Sequence, residues 1–151
     1  MRPTPDPSGA RGFSLVELLI VVAIIGIIAG ISIPNLIQSR QAACSASAVS
    51  SLRLIHSSQA SHRTTSGAYG DLTALGSEYF INDHALRSGY KSQYSFAVTP
   101  DPADSALDYT ARATPGQPTI VNVWRHYYVD ASGVIRWRAG APADLTDNII
   151  N

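Results

Sequence analysis

The chain has 151 residues, with 11 Lys and Arg against 11 Asp and Glu and only 15% charged residues, a length that suits one compact domain with an extension rather than two full domains. Zero formal net charge and the lack of any Lys/Arg cluster remove the electrostatic footprint that a dedicated nucleic-acid-binding fold needs. A single cysteine, Cys44, excludes an intrachain disulfide and any multi-cysteine zinc or iron–sulfur site, so packing must supply the stability.

Apolar residues make up 45% of the chain, but they are unevenly placed. Between Glu17 and Arg40 there is no charge, and Leu18 to Ile33 is apolar or glycine throughout apart from Ser32. The 21 residues from Phe13 to Ile33 make a helix of about 31 Å, which matches a hydrocarbon core of about 30 Å. Before this run lies a polar leader, Met1 to Gly12, with Pro3, Pro5 and Pro7 and the cations Arg2 and Arg11, which favour a cytoplasmic N-terminus. Ala29-Gly30-Ile31-Ser32 loosely fits the cleavage site of an ordinary secretory signal. Glu17 argues against that reading, because a lone carboxylate in lipid costs about 2.5 kcal/mol or more and something must offset it.

The string Arg11-Gly12-Phe13-Ser14-Leu15-Val16-Glu17-Leu18-Leu19-Ile20-Val21-Val22 resembles the class III signal of type IV prepilins and the related type II secretion pseudopilins, and the likeness runs through Gly26 and Pro34 to about residue 40. The resemblance implies that a membrane-embedded aspartyl prepilin peptidase cuts between Gly12 and Phe13 and methylates the new amino terminus of Phe13. Removal of the first 12 residues leaves 139, with nine basic and ten acidic side chains and a net charge of −1.

The residues themselves supply reasons. Glycine at position 12 gives a protease an unhindered extended backbone. Cleavage places a positive α-amine on Phe13, and the carboxylate of Glu17, one helical turn along or on a neighbouring copy, neutralises it at low dielectric. Pairing within one helix is cramped. Pairing between copies is satisfied only at the correct stagger, which would make the desolvation cost a device for registry; the alternative is a carboxylate simply favoured by the helix macrodipole. Gly26 and Gly30 form a Gly-x-x-x-Gly pair that permits close helix approach or arises by chance in such a run. Pro34 lacks a backbone donor and is expected to kink or melt the helix near Gly30 to Pro34. Ser14, Leu15 and Val16 read as continuing the helix start.

From Asn35 to Ser66 the chain is rich in Ala and Ser, with apolar residues at Leu36, Ile37, Ala43, Val49, Leu52, Ile55 and Ala60. These spacings predict the amphipathic second half of one long helix, closing before Gly67 with Arg63 near its end. A helix over 13–64 would be about 78 Å long, more than the remaining residues can cover. Cys44 reads as a small packing residue. His56 and His62 are six apart, off the i, i+4 spacing of a metal pair, and read as surface histidines.

Gly67 to Asp71 reads as a turn, Leu72 to Leu75 as a helical turn and Tyr79 to Leu86 as a second short element. Period-two alternation then predicts four strands. Tyr94, Phe96 and Val98 mark the first, ended by Pro100; Tyr109, Ala111 and Ala113 the second, closed by Pro115-Gly116; Val121 to Val129 the third; and Val134 to Arg138 the fourth, entered through an Asp130-Ala-Ser-Gly133 turn. The expected fold is α+β: a long N-terminal helix whose second half packs on a four-stranded antiparallel sheet, as the resemblance to pilins also implies. The expected divisions are a leader (1–12), a membrane and filament-core helix (13–34), an amphipathic half (35–66) and a sheet head (67–151).

No catalytic motif appears, and Glu17 and Glu78 are the only glutamates, so the chain reads as a non-enzyme without cofactor. Asp101, Asp104 and Asp108 in a Pro-bearing loop are weak calcium candidates that do not fit EF-hand spacing; Asp144, Asp147 and Asn148 are weaker still. Trp124, Tyr127, Tyr128 and Trp137 read as core or intersubunit contacts rather than a ligand platform.

By resemblance, the expected function is a structural subunit of a type IV pilus. The assembly residues would be Glu17, Gly26 and Pro34, and the partners other copies in a helical filament, the prepilin peptidase, inner-membrane assembly machinery and the membrane, with no specific nucleic acid. The chain would sit in the bacterial inner membrane as a single pass before assembly and in an extracellular pilus afterwards. Alternatives are a type II secretion pseudopilin, which a calcium-dependent head would favour, or a minor pilin.

Overall fold

The structure is a computed structural model that describes residues 12–116 and 124–150. Residues 1–11 of the expected leader, and Val121 to Val123 at the expected start of the third strand, lie outside the described residues. The chain divides into two compact units, residues 1–39 and 40–151.

In the first unit the helix α1 (Leu15–Ser66) begins two residues after Phe13. It runs through Pro34 as one helical segment, so of the kink or melting expected near Gly30 to Pro34 the melting is absent. Proline removes a single bond, the one its N–H would give the carbonyl four residues back, on Gly30, and the bonds on either side hold the turn. From Gly12 to Ser39 every side chain is exposed except the half-buried Ala29, including Phe13 at 83% and Leu36 at 69%. An apolar surface this continuous is tolerated only against lipid or another protein.

In the second unit α1 buries Ala48, Leu52, Ile55, Gln59 and His62, one face at spacings of three and four. Its end is set by Gly67, which takes φ +79° and donates from its N–H to the Arg63 carbonyl at 2.9 Å, a left-handed position that favours glycine. Two short helices follow, α2 (Leu72–Ser77) and α3 (His84–Arg87), each begun by an aspartate. Asp71 Oδ1 accepts from Ala74 N at 2.7 Å, and Asp83 Oδ1 accepts from Ala85 N and Leu86 N at 3.0 and 3.1 Å. The element expected over Tyr79–Leu86 therefore shrinks to the single turn of α3.

Among the described residues the sheet has six antiparallel strands in sequential order, β1 (Tyr90–Lys91), β2 (Tyr94–Pro100), β3 (Tyr109–Pro115), β4 (Arg125–Asp130), β5 (Arg136–Ala139) and β6 (Asn148–Ile149). The two beyond the expected four are two-residue edges, too short to display alternation. Strand β1 joins β2 through Ser92 (φ 49°) and Gln93 (φ 67°), a tight turn made without the Asn or Gly that would announce it. The expected Asp130–Gly133 turn is present, with Gly133 at φ +73° and its N–H on the Asp130 carbonyl at 3.0 Å.

Tyr94, Phe96 and Val98 of β2, Tyr109, Ala111 and Ala113 of β3, Tyr127 and Val129 of β4, and Ile135 are buried in one cluster with Ala48, Leu52 and Ile55 of α1. The arrangement is α+β, with a helix packed on an antiparallel sheet, as expected. Trp124 and Trp137 pack half-buried against this cluster. Tyr128 lies on the opposite face, with the Arg112 guanidinium 5.8 Å from its ring centre.

Burial pushes the Tyr94 hydroxyl up to about 12 from its ordinary 10.0, and burial raises Tyr109 in the same direction. A raised folded-state pKa contributes stability in full below the unfolded value and loses it as pH climbs through the folded value. The melting temperature of the chain in detergent should therefore hold up to about pH 10 and fall between pH 10 and 12. Circular dichroism melts check this, and Tyr94→Phe should flatten the fall.

Candidate assembly segment and processing site

Phe13 stands free of the rest of the chain, and a Cβ built on Gly12, Gly26 or Gly30 meets no atom within 4 Å. Among the described residues nothing demands glycine at those positions. Glu17 is placed by the helix start. Its Oε2 accepts from Ser14 N at 2.9 Å, while Ser14 Oγ accepts from Val16 N at 3.4 Å. Ser14-Leu-Val-Glu17 is thus a capping box, the serine side chain serving a first-turn amide and the glutamate reaching back to the serine's own N–H. Ser14 does not merely continue the helix; it is the residue that begins it. The Ser-x-x-Glu spacing that signals this is present in the sequence.

The three loop carboxylates are turned onto their own backbone. Asp101 Oδ1 accepts from Ala103 N at 2.8 Å, Asp104 Oδ1 from Ala106 N at 2.9 Å, and Asp108 Oδ1 from Tyr109 N and Ala131 N at 2.7 and 3.0 Å. Among the described residues no three His, Cys, Asp or Glu side chains gather as a group able to hold a metal ion. Near the C-terminus a guanidinium stands where a cation would. Arg138 lies 2.7 Å from Asp147 and 3.5 Å from Asp144, and the Thr146 hydrogen bonds and then Arg138 hold the Asp144 carboxyl below its usual range.

The buried polar residues of α1 were not legible as such. Gln59 is fully buried and closes a two-way bridge with Gly70, its Nε2 donating to the Gly70 carbonyl and its Oε1 accepting from Gly70 N. Two histidines expected at the surface are not there. His62 is 6% exposed, with Nδ1 2.8 Å from the Ala68 carbonyl and Nε2 3.6 Å from Glu78. His56 is half-buried, its Nδ1 2.9 Å from the Tyr109 hydroxyl. Helix spacing carries both onto the sheet-facing side, which the apolar pattern alone did not reveal. Cys44 packs half-buried beside the core, as expected.

Three comparisons bear on these features. The profile of the prokaryotic N-terminal methylation motif matches residues 7–33. The chain is 33% identical over 116 residues to the type IV major pilin protein PilA of Myxococcus xanthus, a match covering 74% of this chain and 49% of that protein. It is 59% identical over 34 residues to the type IV wide pilus major component PilA4 of Thermus thermophilus, covering 22% of this chain and 26% of that protein. These matches span about half or less of the length of both relatives. No solved structure matches the chain. A methylation motif at the head of an apolar helix, a sheet packed on that helix, and likeness to two pilus proteins together support the type IV pilin family.

Proposed function

We propose that the chain is a non-enzymatic filament subunit of a type IV pilus, inserted in the inner membrane through residues 13–34, cut between Gly12 and Phe13, methylated at Phe13 and then polymerised through α1. The observation that carries this reading is the exposed apolar surface from Phe13 to Ile37, most of which lies within the match to the methylation motif. Such a surface needs lipid first and helices of other copies later, and dispersion between close-packed helices favours the exchange. Residues 35–66 carry the chain into the head, 67–151. Glu17 supplies the carboxylate that meets the new amine of an adjacent copy. Gly26 lets neighbouring helices approach, and Pro34 leaves one backbone acceptor on Gly30 unpaired inside the helix. Both relatives are pilus components, which favours a pilus over a secretion pseudopilin.

Intact-mass analysis and negative-stain microscopy of material sheared from expressing cells test the reading. Long fibres built of a 139-residue chain carrying one added methyl group are expected. An uncut chain confined to membranes would overturn it.

A further inference from the structure

The head is electrically polar along its strands. At one end lie the turn between β2 and β3, with Asp101, Asp104 and Asp108, and the turn after β4, with Asp130. The antiparallel register puts the other strand ends together at the opposite end: the β1–β2 turn, the close of β3, the start of β4 at Arg125 and the close of β5 at Ala139. This second end is also where α1 enters the head. Ser47 Oγ lies 2.9 Å from Ser92 Oγ and, with the Gln93 amide oxygen turned toward it, Arg40 donates from Nη2 at 2.9 Å.

Two cations at this end have no carboxylate partner among the described residues. Arg40 meets only the neutral Gln93 amide, and the Arg125 guanidinium lies 4.1 Å from the centre of the Trp137 ring. Lys91, by contrast, is spent on Asp83 at 2.6 Å. Exposed apolar side chains belong to elements of this end, Tyr90 of β1 at 50% and Leu145, in the loop after β5, at 60%. Cations interleaved with aromatic and aliphatic groups are the composition of a membrane–water interface.

We propose that this rim, centred on Arg40 and Arg125 with Tyr90 and Leu145 exposed at the same end, docks on anionic lipid headgroups before the subunit enters a filament. The proposal rests on the membrane-inserted state described above. Covalent connection commits the occupant: Arg40 follows the last residue of the apolar run, Ile33, by seven positions, at most about 25 Å of extended chain and about 10 Å of helix. Arg40 is thus within reach of the headgroup layer, while the β2–β3 loop with Asp101, Asp104 and Asp108 lies at the other end of the head and Asp144 and Asp147, beside Leu145, are paired with Arg138. Charge complementarity agrees, because anionic lipid attracts the unpaired guanidinia at one end and repels the carboxylates at the other.

Both tryptophans of the chain, Trp124 and Trp137, belong to this rim and report on it. Processed full-length chain is reconstituted in vesicles of phosphatidylcholine alone or with a minority of phosphatidylglycerol, and tryptophan quenching by headgroup-spin-labelled lipid is measured. Quenching should be stronger with the anionic lipid and return to the neutral level in about 1 M salt, where the Debye length is about 3 Å. The Arg40→Gln/Arg125→Gln pair should lose the excess, each charge changing lipid association about fivefold, with unchanged far-UV circular dichroism; Arg125→Lys should retain it. Equal quenching in both vesicle types, with the chain still floating with them, would overturn the docking surface and leave membrane insertion standing. Failure to float with either would overturn both. Quenching that instead follows protein concentration in neutral vesicles would assign the rim to a second copy of this chain and overturn the lipid assignment.

Discussion

Replacing Glu17 by glutamine is expected to leave the chain cut and membrane-inserted while reducing sheared filaments at least ~10-fold, because breaking a buried ion pair costs ~3–5 kcal/mol. The capping box makes this substitution sharper than alanine. Glutamine at the third helical position still accepts from Ser14 N, so the helix start survives and only the charge is lost. If Glu17 serves the helix start alone, Glu17→Gln assembles like the parent. If it neutralises the Phe13 amine of an adjacent copy, Glu17→Gln fails as severely as Glu17→Ala. Filament yield by microscopy and the mass of the membrane fraction, taken together, separate a block in assembly from a block in processing.

Gln59→Leu should produce the largest loss of stability in the head. The side chain is fully buried, and its amide satisfies both backbone groups of Gly70. Gly70 cannot move away: a Cβ there would lie 3.0 Å from both Ala74 Cβ and His62 Cε1, so its surroundings are already close-packed. Leucine leaves a buried donor and a buried acceptor without partners, at ~1–3 kcal/mol each, a large share of the ~5–15 kcal/mol that a domain possesses. A fall in melting temperature of ~10–20 °C is expected. Ser57→Ala, two residues away on the exposed face and with its hydroxyl donating only to the Leu54 carbonyl, should change it little. Parallel thermal melts of the two variants decide; equal, small shifts would show that the Gln59–Gly70 bridge is dispensable.

The parts of the fold written in periodic side chains were the readable parts. Alternation located β2 and β3 to the residue at their starts, since Tyr94, Phe96, Val98, Tyr109, Ala111 and Ala113 all fall on the buried face. Spacings of three and four located the face of α1 that includes Leu52 and Ile55. What escaped was structure made by backbone and polar groups. The β1–β2 turn uses Ser92 and Gln93 where turn chemistry favours Asn or Gly, and β6 is a two-residue pairing that periodicity cannot mark. His56, Gln59 and His62 are polar letters on an apolar face, and their partners, the Tyr109 hydroxyl, Gly70 and the Ala68 carbonyl, come from segments that only folding brings near. Pro34 does not melt the helix, because one missing bond is set against a long helix on both sides. The methylation motif that matches residues 7–33 was legible in the string from Arg11 to Val22. The role of Ser14 as the start of α1 was missed although its Ser-x-x-Glu spacing is local.

The central claim is that the Phe13–Glu17 end of α1 is completed by another copy. Filaments grown from a mixture of subunits, one population carrying ¹⁵N only at the Phe13 amine and the other ¹³C only at the Glu17 carboxyl, allow a solid-state NMR distance measurement that only pairs between copies can produce. Strong transfer at ion-pair separation, within about 4 Å, is the predicted result. Absence of transfer in mixed filaments, with strong transfer when both labels sit in the same chain, would place the pair inside one subunit and contradict the account.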